Sequence, residues 1–356
     1  MRRWVILVLT LVLCMIPAAA LDGETVPGLD GLWDQAEDYG VSQDTGLEGG
    51  LSQLVVQGLE QLKALAGRSI ATGVKLLAVV LVCGLAQSAA LPGQQEGVQA
   101  AELAGALAIT ALTMTDVAAM IGLGRETLGR MDDFSQALLP VMAALTAATG
   151  RVSGAAVGQG VTVLFSQLLL DAMDGLLIPL IDGYVAVSCA WAAVDSPGLK
   201  KLGELMKGAA ALILTGLLLA FVGYLTASGA IAGSVDAAAV KTAKLAISRA
   251  IPVVGGILAD ASETVLAGAG VLRGTVGAAG MLVVLAICLT PFLHLGLHYL
   301  VYKAAAALCA LIAQPRLSGL IDALGGAFGM VLGMTGAGAL VLLVSVASAL
   351  TAVGGG

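Results

Sequence analysis

Residues Ile247 to Gly280 read ISRAIPVVGGILADASETVLAGAGVLRGTVGAAG, an apolar, glycine-rich run punctuated by Arg249, Asp260, Glu263 and Arg273. The run is too charged for an ordinary membrane span and too apolar for a soluble helix. Its breakers divide it into a surface helix ending near Arg249, a short helix opened by Pro252, a turn from Asp260 to Glu263, and a glycine-faced span carrying Arg273. Such pieces belong to an all-α membrane protein. Composition agrees: 58% of residues are hydrophobic, 12% are charged and the mean hydropathy is +0.98, against roughly 25% charged in soluble domains. Aromatics at 4% and 48 glycines favour helices packed on small residues over a barrel with aromatic girdles.

Working outward, the stretch has a counterpart. Pro140-Val141 and Pro252-Val253 share a spacing with Pro179 and Pro291, and PGLKKLGELMKGAAALIL from Pro197 resembles PRLSGLIDALGGAFGMVL from Pro315. Equal spacing of a scarce residue indicates an internal duplication. Repeat unit 1 would occupy 134–231, with helices at Ala137 to Thr149, Val152 to Leu170, Leu176 to Val194 and Leu205 to Ala230. Repeat unit 2 would occupy 250–353, with helices at Ala250 to Ala261, Thr264 to Ile287, Leu289 to Ile312 and Ile321 to Val353. Each proline is expected in a first helical turn, where its missing donor costs nothing. Between the units, 232–249 forms an amphipathic connector with Lys241 and Lys244 on one face and Val240 and Ile247 on another.

The N-terminal part reads differently. Residues 1–20 carry Arg2 and Arg3, an apolar core from Trp4 to Ile16, and Ala18-Ala19-Ala20, the pattern of a signal peptide cleaved after Ala20. An uncleaved signal anchor is the alternative. Residues 21–69 form an acidic extracytoplasmic segment: Asp22, Glu24, Asp30, Asp34, Glu37, Asp38, Asp44, Glu48 and Glu60 occur without Lys or Arg before Gln61. This acidity, within a net charge of −7, excludes nucleic acid as a partner, because phosphate binding needs a basic surface. Leu47 to Ala66 is an amphipathic helix, docked either on the membrane surface or partner or on the protein's own membrane domain. Residues 70–124 hold two spans, Ile70 to Leu91 and Val98 to Leu123. In all, about 8–10 membrane helices are expected.

The short first helix of each unit reaches at most about 20 Å, so it either crosses the bilayer or re-enters. If it crosses, a start outside puts Arg151, Lys200, Lys201, Lys207 and Arg316 in the cytoplasm, with Arg125, Arg130, Lys241, Lys244 and Arg249 outside. If it re-enters, Lys241, Lys244 and Arg249 join Arg316 inside, and Arg151 and the three lysines move out. The positive-inside rule barely separates the two.

Gly150, Gly154 and Gly158, and Gly325, Gly329 and Gly333, recur every four residues. Such stripes serve close helix packing, within the chain or between copies of a homo-oligomer. Asp171, Asp174, Asp182, Asp260, Glu263 and Arg273 are the candidate pathway or structural charges, expected mostly at helix ends. Lys75, Glu102 and Asp116 also fall inside or near spans, with Lys75 expected to snorkel. His294 and His298, four apart, lack a third ligand at matching spacing. The four cysteines after the leader show no CxxC pairing and read as buried thiols. No Walker motif or GxSxG occurs, and no nucleophile has a base near it. No catalytic residue, cofactor or metal is assigned. An ion or proton relay through the carboxylates remains the transporter reading.

The leader, the acidic amphipathic segment and above all ISRAIPVVGGILADASETVLAGAGVLRGTVGAAG resemble the stage III sporulation protein AE family of endospore-forming bacteria, over nearly the whole mature chain. The resemblance implies a non-enzymatic polytopic subunit of the stage III A complex, a secretion-like channel joining mother cell and forespore. It implies placement in the mother-cell membrane around the forespore and partners among the ring-forming and ATPase-like stage III A proteins. It carries over no ligand or catalytic residues.

Overall fold

The computed structural model describes residues 46–89, 95–148, 155–227, 275–311 and 315–354. The leader, the acidic stretch up to Thr45, the connector 232–249 and most of the Ile247 to Gly280 stretch lie outside them.

The described residues form a helical bundle. Its elements are α1 (Gly46–Ser88), α2 (Gln95–Ala148), α3 (Ala155–Ala172), a π turn (Met173–Leu177), α4 (Ile178–Val194), α5 (Pro197–Ala227), α6 (Thr275–Cys309) and α7 (Pro315–Gly354). Six segments among them are long and apolar enough to cross a membrane: Val56–Ser88, Glu96–Ala137, Leu164–Val194, Pro197–Tyr224, Gly280–Cys309 and Pro315–Val346. This is a multi-pass membrane architecture.

Several expected breaks are absent. Leu47 to Ala66 and the first span form one helix, α1, because no breaker separates them. The helix expected at Ala137 to Thr149 is the continuation of α2 through Pro140. Pro291 lies inside α6 rather than opening a helix. In apolar surroundings an interrupted helix costs more than a bent one, since freed backbone groups find no water, so spans run through proline where neighbours support them. The spans expected at Val152 to Leu170 and Leu176 to Val194 join through the π turn. Pro179 follows it at once, near the start of α4, where a widened turn already leaves a carbonyl without its i+4 donor. Asp171, Asp174 and Asp182 therefore lie along a continuous helix, not at helix ends.

The bundle is built around α7. Its span is 83% buried, against 22% for α5, and it packs on α2, α3, α4, α5 and α6. Small residues make this approach feasible. A methyl at Gly329 would lie 2.9 Å from the Tyr299 ring, one at Gly319 2.9 Å from Trp191, and one at Gly338 2.8 Å from Met131 Sδ; at Gly124 it would collide with Val331. The segment α3–π–α4 runs antiparallel along α7, with Trp191 at Gly319, Tyr184 at Gly326, Leu170 at Gly338 and Ser166 hydrogen-bonded to Ser345 at 2.6 Å. Helix α1 lies parallel to α6, touching it at Gly58 and Leu293, Ser69 and His298, and Gly73 and Val301.

All six spans begin or finish at one common end. There Ser88 leads to α2, Val194 to α5, and Cys309 to α7. Asp195 makes the α4–α5 turn in the left-handed conformation (φ 53°), its N–H donating to Trp191 O at 2.8 Å, and Pro197 then opens α5. Lys200, Lys201 and Arg316 share this end. Arg125 and Arg130 lie toward the other.

Candidate functional site

Three charged levels cross the bundle. At the common end, Arg316 reaches back from the first turn of α7. Its Nη1 donates to Glu102 Oε2 at 3.1 Å, while Nε and Nη2 donate to the carbonyls of Ala192 and Ala193, each at 2.7 Å. Those carbonyls are unpaired at the end of α4 and carry its negative dipole end. Gln87 Nε2 donates to Glu102 Oε1 at 3.3 Å. One guanidinium thus ties α7 to α2 and α4, and Glu102 brings in α1. With 12% and 11% of the two side chains exposed, both charges depend on each other.

One to two turns further along α7 lies the second level. Asp322 accepts from Lys303 Nζ at 2.6 Å. On the other side of α6, Tyr302 Oη donates to Asp116 Oδ2 at 3.0 Å, and the buried Tyr302 ring packs edge-on against Phe328, with centroids 4.8 Å apart. His298 packs on the same Phe328. Its Nδ1 donates to His294 O at 3.0 Å, and its Nε2 lies 3.4 Å from Ser69 Oγ. On the opposite flank, Tyr184 Oη and Lys207 Nζ stand 3.5 and 3.7 Å from where a Gly326 side chain would begin. Lys207 makes no ion pair among the described residues.

The third level pairs Arg125 Nε with Asp174 Oδ1 at 3.3 Å, from α2 to the π turn. Both side chains are about half exposed, so this bridge contributes little by itself.

The sequence-nominated residues fall unevenly on this frame. Asp174 belongs to the third level; Asp171 and Asp182 are exposed on the α3–α4 face. Asp260, Glu263, Arg273, Gly150 and Gly154 lie outside the described residues, and Gly158 is within α3. Gly325 and Gly329 turn toward Tyr302, Lys303 and Tyr299 of α6, and Gly333 is buried. Among the described residues no group of three His, Cys, Asp or Glu could hold a metal ion. Sequence reading passed over Arg316, Lys207, Lys303, Asp322, Tyr184 and Tyr302 as members of a site. The available signal was their placement: ionisable residues within apolar spans warrant partners by default.

Removing the Tyr302 hydroxyl should expose how much this level contributes. Tyr302→Phe leaves Asp116 without its donor inside the bundle and is expected to lower stability by about 1–3 kcal/mol. Unfolding in mixed detergent micelles, with Asp116→Asn and the double variant completing a cycle, measures it. Additive losses would show that the pair does not interact.

Among the described residues, six apolar spans, five of them packed around the buried, glycine-rich sixth, with ion pairs linking the spans, define a polytopic α-helical membrane protein. The family described as stage III sporulation protein AE matches residues 47–353, and the chain belongs to that family. It is 29% identical over 202 residues to the stage III sporulation protein AE of Bacillus subtilis (strain 168), a match covering 57% of this chain and 50% of that relative. The matched region thus spans about half the relative's length. No solved structure matches the chain.

Proposed function

We propose that this chain is a non-enzymatic subunit of the stage III A sporulation complex, a secretion-like channel between mother cell and forespore needed for forespore development. The family match carries this reading, because at 47–353 it covers all but the two terminal residues of the described bundle. In this reading the protein sits in the mother-cell membrane around the forespore, with ring-forming and ATPase-like stage III A proteins as partners. Residues 1–20 act as a signal peptide in this reading, and the Gly46 end of α1 lies outside. The common end, with Lys200, Lys201 and Arg316, is then cytoplasmic, in keeping with the positive-inside rule. The duplication enters the same reading: hairpins α4–α5 and α6–α7 run in the same sense, and α5 and α7 each open on proline at the common end, as parallel repeats would.

A pull-down of the tagged full-length chain from sporulating cells tests the proposal. Co-recovery of other stage III A proteins is expected, and recovery of this chain alone would overturn it. Deleting residues 22–45 should weaken that recovery while leaving α1 whole; a deletion reaching Ala66 would also strip Gly58 from Leu293 and confuse lost partners with lost packing.

The second reading, a secondary permease, draws on the charges within the spans. Neutralising Asp171, Asp174, Asp182, Asp260 and Glu263 discriminates between them: a permease loses transport while remaining assembled, whereas a complex subunit has no transport of its own to lose.

A further inference from the structure

Helices α5, α6 and α7 change character at one level. Beyond Lys207, α5 carries no charge from Gly208 to Ala227; before Lys303, α6 carries none back to Thr275; beyond Asp322, α7 carries none to Gly354. Toward the common end, α5 and α7 bear Lys200, Lys201, Glu204 and Arg316. The charge-free part of α5 is about 30 Å long at 1.5 Å per residue, the thickness of a bilayer's hydrocarbon core. On this face, the level of Lys207, Lys303 and Asp322 is therefore where headgroups meet acyl chains.

At that level α7 presents bare backbone. Lys303 lies against Gly325, with its Cδ 3.6 Å from where a Cβ would stand, and Lys207 Nζ and Tyr184 Oη converge on the adjacent Gly326. The Lys207 ammonium and the Tyr184 hydroxyl thus meet at Gly326 from α5 and α4, while the Lys303 stem crosses Gly325 from α6 and sets its ammonium on the Asp322 carboxylate and carbonyl, at 2.6 and 3.2 Å. Asp322, one turn away, pairs with Lys303 and lies within electrostatic reach of Tyr184, and the Lys303 and Asp322 side chains are 29% and 52% exposed. Lys207 is partly exposed. On the outer face of α5, about a third of a turn round from Lys207, Leu212 and Leu219 are 73% and 53% exposed, an apolar track at acyl-chain depth.

We propose that Lys207, Lys303 and the Tyr184 hydroxyl form a binding site for the phosphate of an anionic phospholipid, with its chains lying along α5. The uncommitted Lys207 ammonium supplies the principal charge, the Tyr184 hydroxyl donates a hydrogen bond, and Lys303 is shared between Asp322 and the phosphate. The bare backbone at Gly325 and Gly326 lets these side chains approach α7 closely. Basic clefts between membrane helices recognise headgroups by this chemistry.

The test uses the full-length chain in neutral detergent, titrated with phosphatidylglycerol, phosphatidylcholine or inorganic phosphate, with bound lipid counted by native mass spectrometry. Phosphatidylglycerol should bind, and phosphatidylcholine should not compete for it. Lys207→Gln should weaken binding about fivefold and the Lys207→Gln/Lys303→Gln pair about thirtyfold, at roughly one surface-lysine increment each. Lys207→Arg should retain binding, and Asp322→Asn, which frees Lys303, should tighten it. The arginine and asparagine variants keep the test decisive if the double variant fails to fold. Equal binding of phosphatidylcholine, indifference to all four variants, or phosphate alone displacing the lipid at micromolar concentration would overturn the assignment to an anionic lipid.

Discussion

Replacing Arg316 by methionine is expected to destabilise the bundle by about 3–5 kcal/mol, the usual consequence of removing one partner of a buried ion pair. The loss has two parts. Glu102 is left with only Gln87 beside it, and the carbonyls of Ala192 and Ala193 lose both donors at the end of α4. Glu102→Gln should cost less, since the guanidinium retains both carbonyls. Combining Glu102→Leu with Arg316→Met should recover part of the loss, because paired apolar residues no longer strand a charge. Denaturant titration of the purified variants in micelles measures all of these. A double variant as unstable as the sum of its singles would mean that the carbonyl contacts, not the ion pair, carry the node.

The second large effect is expected at Gly338. A leucine there must displace Met131, Leu170 and Leu128, whose nearest atoms lie 2.8, 3.2 and 3.5 Å from the new Cβ. All three are almost fully buried and have no solvent to swing into. Overpacking of this kind costs about 1–3 kcal/mol or more, and folded yield from the membrane should fall with it. Gly329→Leu meets only the partly exposed Tyr299 ring and should be milder. Met131→Ala combined with Gly338→Leu should restore part of the stability; no restoration would place the clash elsewhere.

Class and membrane character were legible in the residues themselves, since apolar runs of span length leave few alternatives. The last helix of each unit starts earlier than expected, at Pro197 and Pro315 rather than at Leu205 and Ile321, because proline fits a first helical turn. Pro140 and Pro291 misled because the rule that proline opens helices is a rule about water. In a packed apolar bundle, α2 and α6 continue through them. The π turn had little local signal: Met173 to Leu177 contains nothing that separates it from its neighbours, and only Pro179 just beyond it, together with packing on α2 and α5, accounts for the widened turn.

The charged levels were hidden for a different reason. Glu102 and Arg316 lie far apart in sequence and meet only because α2 and α7 run side by side. Lys303 and Asp322 are close in sequence, but reading them as a pair requires knowing that α6 and α7 fold back on each other. Asp171 and Asp182 drew attention by their spacing, yet stand exposed, while Lys207 looked like an ordinary basic residue after a turn.

The place of α7 also sets the order in which the molecule can come together. The helix that fills the centre is made after the five spans that surround it. At about 5–20 residues per second, ribosomes need roughly 10–40 s after inserting Glu102 before Arg316 emerges to meet it. During that interval α2 holds an unpaired glutamate and an unpaired aspartate in the membrane, and α3, α4 and α5 have no core to pack on. Assembly is therefore a closing step rather than a gradual accretion. Chaperone or insertase occupancy of the early helices should persist until α7 arrives, and a chain stalled just before Pro315 should remain in the hands of that machinery.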